Sequence, residues 1–313
     1  MTIEKTLREG INVAFIEGTV KDVRIEEKEI NGKDAISGEI DIQVAPEFVY
    51  TVNVFSYKMN QKGEISGLYK SYCTVRDEYK TIDRDGIEAA DKVRIDHGKN
   101  GKNEYVGQDG EFKSYPQLST TFINRVKEND VFEPKAKFTL EMVVAGTSEE
   151  KRGGEETGRL ILRGYVPGYQ EGKDDTKKIF PFEVIVAEPH SIQYVENTYE
   201  KGQTVKVFGD IVNQTIISKK TIEVGFGEPQ EQIDRKSVRE YIVTGGTPPM
   251  DEDDKNAFDT TLIKQALKKR EEAIEKKKAE KKSKENQQQS SNGGFGGGDP
   301  FTDSGDPFDP FAN

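Results

Sequence analysis

The feature that most constrains the fold is an alternation of apolar and polar residues that recurs along most of the chain. It occupies the segments 11–25, 35–44, 50–57, 137–146, 158–167, 179–187 and 202–217. Alternation with a period of two places one set of side chains on each face of a β-strand. Asn31-Gly32 separates the first two segments and is the dipeptide that two-residue hairpins favour. The chain is therefore predicted to be mainly β.

The order of the segments indicates the type of β fold. In the second half, three strands are followed by a short helical pattern at 191–199 and a strand with a glycine at Gly209. Three strands, a helix and a returning bent strand is the order of an OB barrel. The first half has three strands and then a polar stretch over 60–120, where a long loop is expected to be functional or disordered. We predict one or two OB-like barrels.

The predicted boundaries divide the chain into five parts. They are a first OB-like domain at 1–135, a second at 136–245, a linker at 246–257, a charged helix at 258–284 and a disordered acidic tail at 285–313. One elaborated β domain is the alternative to two barrels. The helix has a narrow apolar stripe and ten Lys or Arg against four Glu between Lys264 and Lys284. This pattern is typical of a solvated helix, although its charge could also contact phosphates or the acidic tail.

The composition argues against several classes of function. The formal net charge of −11 means that a nucleic-acid groove would be a local basic strip on an acidic protein. With two histidines and one cysteine, histidine triads, zinc centres and internal disulfides are disfavoured. We expect no enzymatic activity, no cofactor and no metal site.

The hydropathy pattern bears on where in the cell the protein is located. The first ten residues contain no apolar core like that of a signal peptide, and no apolar run approaches the length of a membrane span. We expect a cytoplasmic protein without a membrane partner, in the host cytoplasm if the chain is viral.

Aromatic and cationic residues alternate between Tyr50 and Arg125, as binding of single-stranded nucleic acid requires. Flat rings stack on bases and cations follow the phosphates. The candidate nucleic-acid-binding residues are Tyr57, Lys58, Tyr69, Lys70, Tyr72, Arg76, Tyr79, Lys80, Arg84, Phe112, Lys113 and Tyr115. Neighbours on a strand face opposite ways, so these residues share a surface only where they lie in loops. Whether Phe55 belongs to the core stays open on this pattern.

The last residues contain three Asp-Pro-Phe triplets. Proline and glycine disfavour regular structure there, and isolated phenylalanines without periodic partners suggest a ligand for another protein's pocket. The candidate partner-binding residues are Asp306, Pro307, Phe308, Asp309, Pro310 and Phe311.

A β-rich body followed by the linker at 286–294 and an acidic Asp-Pro-Phe tail resembles the single-stranded DNA-binding proteins of bacteria and their phages. The resemblance implies an OB fold that coats single-stranded DNA in replication, recombination or repair. It also implies a tail, at Asp306 to Phe311, that recruits replication and recombination proteins. The size of the body favours a phage version. The alternative is an adaptor, scaffold or virion structural protein that uses the triplets without binding nucleic acid.

Overall fold

The computed structural model describes residues 6–222, 230–251 and 253–291. Its first part contains β1 (Asn12–Ile30), β2 (Lys33–Ala45), β3 (Phe48–Tyr57), α1 (Gly67–Glu78), α2 (Ile82–Asp85), β4 (Lys92–Val106), β5 (Phe112–Ser119) and β6 (Asn124–Arg125). Its second part contains β7 (Lys135–Arg152), β8 (Glu155–Pro167), α3 (Asp175–Lys178), β9 (Ile179–Val186), α4 (Pro189–Thr198), β10 (Thr204–Ile222), β11 (Gln230–Gly246) and α5 (Thr260–Ser291).

The strands β1 to β5 close into a first barrel. Antiparallel ladders join β1 to β2, β2 to β3, β5 to β4 and β4 back to β1, while β3 and β5 pair in parallel at Val52 and Leu118. The helix α1 lies between β3 and β4 in the chain. Five strands closed in this order, with a helix after the third, form an OB fold.

The strands β7 to β11 repeat this arrangement as a second barrel. Their ladders join β7 to β8, β8 to β9, β11 to β10 and β10 to β7, and the parallel pair is now β9 with β11. The helix α4 takes the place of α1. The prediction of a mainly β chain with OB-like barrels and a C-terminal helix is confirmed. The predicted domain boundaries stay a prediction.

Backbone conformation explains the hairpin turn at Asn31-Gly32 and the strand bend at Gly209, both of which the sequence predicts. Asn31 and Gly32 both have positive φ, at 52° and 72°, as a two-residue hairpin turn requires. At Gly209 the register of β10 shifts against β11, and a Cβ would lie 1.9 Å from the backbone oxygen of Ile242. Only glycine allows the strand to pass that close, so the predicted bend at Gly209 is confirmed.

The stretch 60–120 departs from the prediction of a long loop. It contains α1, α2, β4 and β5. The helix α1 begins at the N-cap Ser66, whose hydroxyl accepts from the backbone N–H of Tyr69. Tyr69, Tyr72 and Val75 follow the helical repeat and are buried in α1, which packs against β1, β2 and β3, and Tyr79 just beyond the helix is buried as well. The segment looked polar because α1 buries only one narrow face.

The two barrels share one hydrophobic core. Side chains from both barrels belong to a single buried cluster, and β1 pairs with β7 over Asn12 to Glu17. A second contact joins the β10–β11 hairpin to the first barrel, where the hydroxyl of Tyr50 donates to the backbone oxygen of Ile211 at 2.7 Å. The barrels are thus held side by side by backbone pairing as well as by packing.

The first three turns of helix α5 pack against the body. The sequence pattern had favoured a solvated helix here. Ile263 lies in a small cluster with Leu7, Val143, Ile179 and Phe258. Arg270 is 6% exposed and donates to the backbone oxygens of Thr176 and Ile179. Because an arginine is rarely buried without partners, α5 is a structural part of the body.

The predicted tail, including the candidate partner-binding residues Asp306 to Phe311, lies outside the described residues. Within the described chain, the search for a helix long and apolar enough to cross a bilayer finds none.

Candidate nucleic-acid interface

The outer face of β3 carries two aromatic rings. Val52 and Val54 point inward and are 1% and 3% exposed, so the alternate residues Phe55 and Tyr57 point outward. Phe55 is 45% exposed, and its ring meets that of Tyr57 edge to face with centroids 4.9 Å apart. This settles the question that the sequence left open, because Phe55 is a surface residue.

The hairpin of β4 and β5 carries a second aromatic pair. Tyr105 and Tyr115 are 45% and 50% exposed, and their ring centroids lie 6.2 Å apart with an interplanar angle of 30°. The register places Tyr115 opposite Asn103 and Tyr105 opposite Lys113. Two neighbouring exposed rings offer faces on which a base can stack.

A groove of about 350 Å³ connects these rings with the second barrel. Its floor is formed by Glu39 of β2 and by Thr51 and Asn53 of β3. Tyr105 and Tyr115 form one wall, and residues of β10 and β11, which include Arg239 and Glu240, form another. We call this space the inter-barrel groove. From Thr51 to Tyr57 the outer face of β3 extends for about 20 Å, since a strand rises about 3.3 Å per residue.

The charge on this surface is divided between its two sides. On β1 and β2, the Arg24 guanidinium pairs with Asp22, Glu39 and Asp41 at 2.7 to 3.2 Å. Burial alone would raise the pKa of Asp41, but hydrogen bonds from Arg24 and Thr51 outweigh it and lower that pKa. Three carboxylates share one guanidinium, so the β1–β2 side of the surface is negative.

Cations lie around the other edges of the surface. Arg239 is exposed on the wall that β11 contributes. The Lys33 ammonium lies 5.8 Å from the centroid of Tyr57, within the range of a cation–π contact. Lys113 pairs with Asp109 at 2.8 Å, and this contact raises the pKa of Lys113. A strand that follows these three cations would avoid the acidic side.

The β4–β5 hairpin is fixed in place from the second barrel and from α5. Glu104, next to Tyr105, has a side chain that is 5% exposed, and it accepts from Arg270 at 2.5 Å. The Lys102 ammonium lies 5.4 Å from the ring centroid of Phe182, and burial lowers its pKa. The position of the Tyr105–Tyr115 pair therefore depends on contacts outside the first barrel.

The structure corrects the assignment of Tyr69, Tyr72 and Tyr79 as stacking residues. They are 7%, 1% and 7% exposed, on the inner side of α1 and just beyond its end. The Tyr72 hydroxyl donates to the backbone oxygens of Thr120 and Thr121, and burial raises the pKa of Tyr72 to about 12. Side chains this deeply buried cannot stack on a base, so these tyrosines belong to the core.

The cations predicted beside these tyrosines lie on the outer side of α1 and in the residues around α2. Arg76 pairs with Asp77 and with Glu27 of β1, and Arg84 pairs with Asp85. Lys70 and Lys80 are exposed. They do not border the inter-barrel groove. Because the tyrosines beside them in the chain are buried, these four residues do not form the predicted mixture of rings and cations.

Of the other predicted residues, Tyr57, Lys58, Phe112, Lys113 and Tyr115 lie along β3 or on the β4–β5 hairpin. Lys58 pairs with Asp34 at 3.2 Å. Their role in binding stays a prediction. The candidate residues predicted from the sequence did not include Lys33 and Arg239, which come from distant segments, or the rings of Phe55 and Tyr105. The β-period of 51–57 places Phe55 and Tyr57 on one face and Val52 and Val54 on the other, but it does not indicate which face is outward.

Comparison with known proteins gives a family and several similar solved structures. The model of the YorF family matches residues 11–280. A comparison with curated proteins finds no match. The wild-type single-stranded DNA binding protein from Thermus aquaticus is similar with a TM-score of 0.45 and 12% identity, over 78% of this chain and 95% of that one. A deletion mutant of the Thermus aquaticus protein gives a TM-score of 0.44 and 14% identity, over 79% and 98% of the two chains. The fold assignment rests on the strand pairings and not on these similarities.

Proposed function

The chain belongs to the YorF family, and we propose that it binds single-stranded DNA on the outer face of β3 and in the inter-barrel groove. The observation that carries the proposal is the set of outward rings of Phe55, Tyr57, Tyr105 and Tyr115 on one OB barrel. OB folds bind oligonucleotides on the face of their second and third strands and between the loops that flank it.

Each ring is placed to contribute through stacking. A base stacked on an exposed aromatic side chain is worth about 1–3 kcal/mol and is accepted with little dependence on sequence. Burial of Phe55 or Tyr115 in a complex would also remove apolar surface from water. The rings thus supply affinity on a protein whose overall charge opposes nucleic acid.

We further propose that the protein coats single strands in the replication, recombination or repair of DNA, in the cytoplasm of a phage-infected host. The supporting feature is the combination of two OB barrels with an Asp-Pro-Phe tail. In this proposal Asp306 to Phe311 recruit partner proteins, and the body contributes neither catalysis nor a cofactor. An adaptor protein would share the tail but would not require exposed rings along β3.

Titration of the intrinsic tyrosine fluorescence with a single-stranded oligonucleotide tests the proposal. Binding should be micromolar or tighter at low salt. With Lys33, Lys113 and Arg239 as the phosphate contacts, log K should fall with log salt with a slope of about −2, since each contact on a single strand contributes about −0.7. A duplex of the same sequence is the control and should bind more weakly. Failure of single strands to bind at about 50 mM salt would refute the proposal.

A further inference from the structure

The floor of the inter-barrel groove presents hydrogen-bond acceptors. The Asn53 Nδ2 donates to the backbone oxygen of Leu118 at 3.2 Å. A carbonyl oxygen can only accept, so this contact fixes the orientation of the amide and uses one of its two N–H groups, while its Oδ1 stays available as an acceptor. Asn53 therefore offers an acceptor oxygen to the groove.

The two other floor residues, Thr51 and Glu39, also present hydrogen-bond acceptors. The Thr51 hydroxyl uses its hydrogen to donate to Asp41 Oδ1 at 2.7 Å, which leaves only its lone pairs. Glu39 is a carboxylate, and one of its oxygens accepts from Arg24 at 3.2 Å. All three groups on this side of the groove thus accept hydrogen bonds.

The charge of the floor determines which part of a nucleotide can face it. Arg24 is shared by Asp22, Glu39 and Asp41, so this cluster has a net negative charge and would repel a phosphate. Arg239 lines the groove from β11, away from β1 and β2 in the sheet, and favours a phosphate there. A bound strand therefore places its backbone toward β11 and the edge of a base toward β2 and β3.

We propose that the inter-barrel groove distinguishes bases by this edge and favours one with an exocyclic amino group, cytosine above all, over one with a carbonyl at the same position. The inference rests on the proposed function. The N4 amino group of cytosine donates two hydrogen bonds, which Asn53 Oδ1 and the Glu39 carboxylate can accept. Uracil and thymine present the O4 oxygen there, which would face these acceptors without a partner.

The experiment compares oligo-dC with oligo-dU of equal length, bound by the full chain at mildly alkaline pH, where cytosine stays unprotonated. The two bases differ in the group at position 4, which is an amino group in cytosine and a carbonyl in uracil. They also differ at the adjacent N3, which carries a hydrogen only in uracil. We expect dC to bind about tenfold more tightly, the effect of one hydrogen bond to a charged group. Equal affinity, or tighter binding of dU, would overturn the inference while leaving the proposed function intact. Absence of binding to both would refute the proposed function instead.

Two variants assign the preference to the groove. Asn53→Leu removes an acceptor at similar volume and should reduce the preference for dC over dU several-fold. Glu39→Gln replaces an acceptor oxygen by a donor and should abolish the preference or reverse it. Gln61→Leu, at an exposed turn beyond β3, is the control and should keep it. A preference that survives both groove variants would show that another surface selects the base.

Discussion

Replacement of Arg270 by methionine is expected to lower the free energy of unfolding by about 3–5 kcal/mol, because it removes one partner of a buried ion pair. Arg270 is 6% exposed, and its carboxylate partner Glu104 has a side chain that is 5% exposed. Methionine keeps much of the volume but leaves the Glu104 charge and the backbone oxygens of Thr176 and Ile179 without a donor. Denaturant unfolding followed by circular dichroism measures the change.

A surface lysine on the same helix is the matched control. Lys268 pairs with Glu272 at 3.9 Å, and both side chains are largely exposed. Lys268→Met should therefore change stability by no more than about 0.5 kcal/mol. The double variant Arg270→Met with Glu104→Leu should recover part of the loss, since it removes the uncompensated charge. Unchanged stability of Arg270→Met would contradict the role of α5 as an anchored part of the body.

The second large effect concerns the exposed rings of the β4–β5 hairpin. Tyr105→Ala and Tyr115→Ala should each weaken binding of single-stranded DNA by about 1–3 kcal/mol, or roughly 5- to 150-fold. The double variant should lose more than either single variant but less than their sum, because the rings are neighbours and can share a stacked base. Fluorescence anisotropy of a labelled oligonucleotide gives the affinities.

Two further replacements distinguish a loss of stacking from a loss of folding. One keeps the aromatic ring, and the other lies away from the inter-barrel groove. Tyr115→Phe keeps the ring and should bind almost as well as the unchanged protein. Tyr169→Ala removes a ring that is 59% exposed in the loop before α3 and hydrogen-bonded to Glu171, so affinity should not change. Equal losses for Tyr169→Ala and Tyr115→Ala, or none for either, would show that the hairpin rings do not carry the binding.

Much of the fold follows from local patterns in the sequence. The alternation of the strands, the Asn31-Gly32 turn and the bend at Gly209 all depend on residues close together in the chain. The helix α1 was missed because its apolar face is made of tyrosines. In a polar segment, Tyr69, Tyr72 and Tyr79 look like ligand-binding residues, yet their spacing of three and seven also fits the buried side of a helix.

The candidate site was harder to predict from the sequence, because strand pairing brings its residues together from distant parts of the chain. Tyr105 and Tyr115 meet through the register of β4 and β5, and Arg239 reaches the same groove from a strand more than a hundred residues away. An aromatic residue beside a cation in the chain does not imply that both face one surface. Tyr79 and Lys80 show this, since the first is buried and the second exposed.

Photocross-linking tests the central claim most directly. A single-stranded oligonucleotide that carries iodinated deoxyuridine couples on irradiation to an aromatic ring stacked on the halogenated base, and the modified peptides are identified by mass spectrometry. We predict adducts at Phe55, Tyr57, Tyr105 and Tyr115, which excess unlabelled single strand should suppress. Adducts confined to Tyr169, Tyr194 or other rings away from β3 and the inter-barrel groove would contradict the account, as would the absence of any adduct.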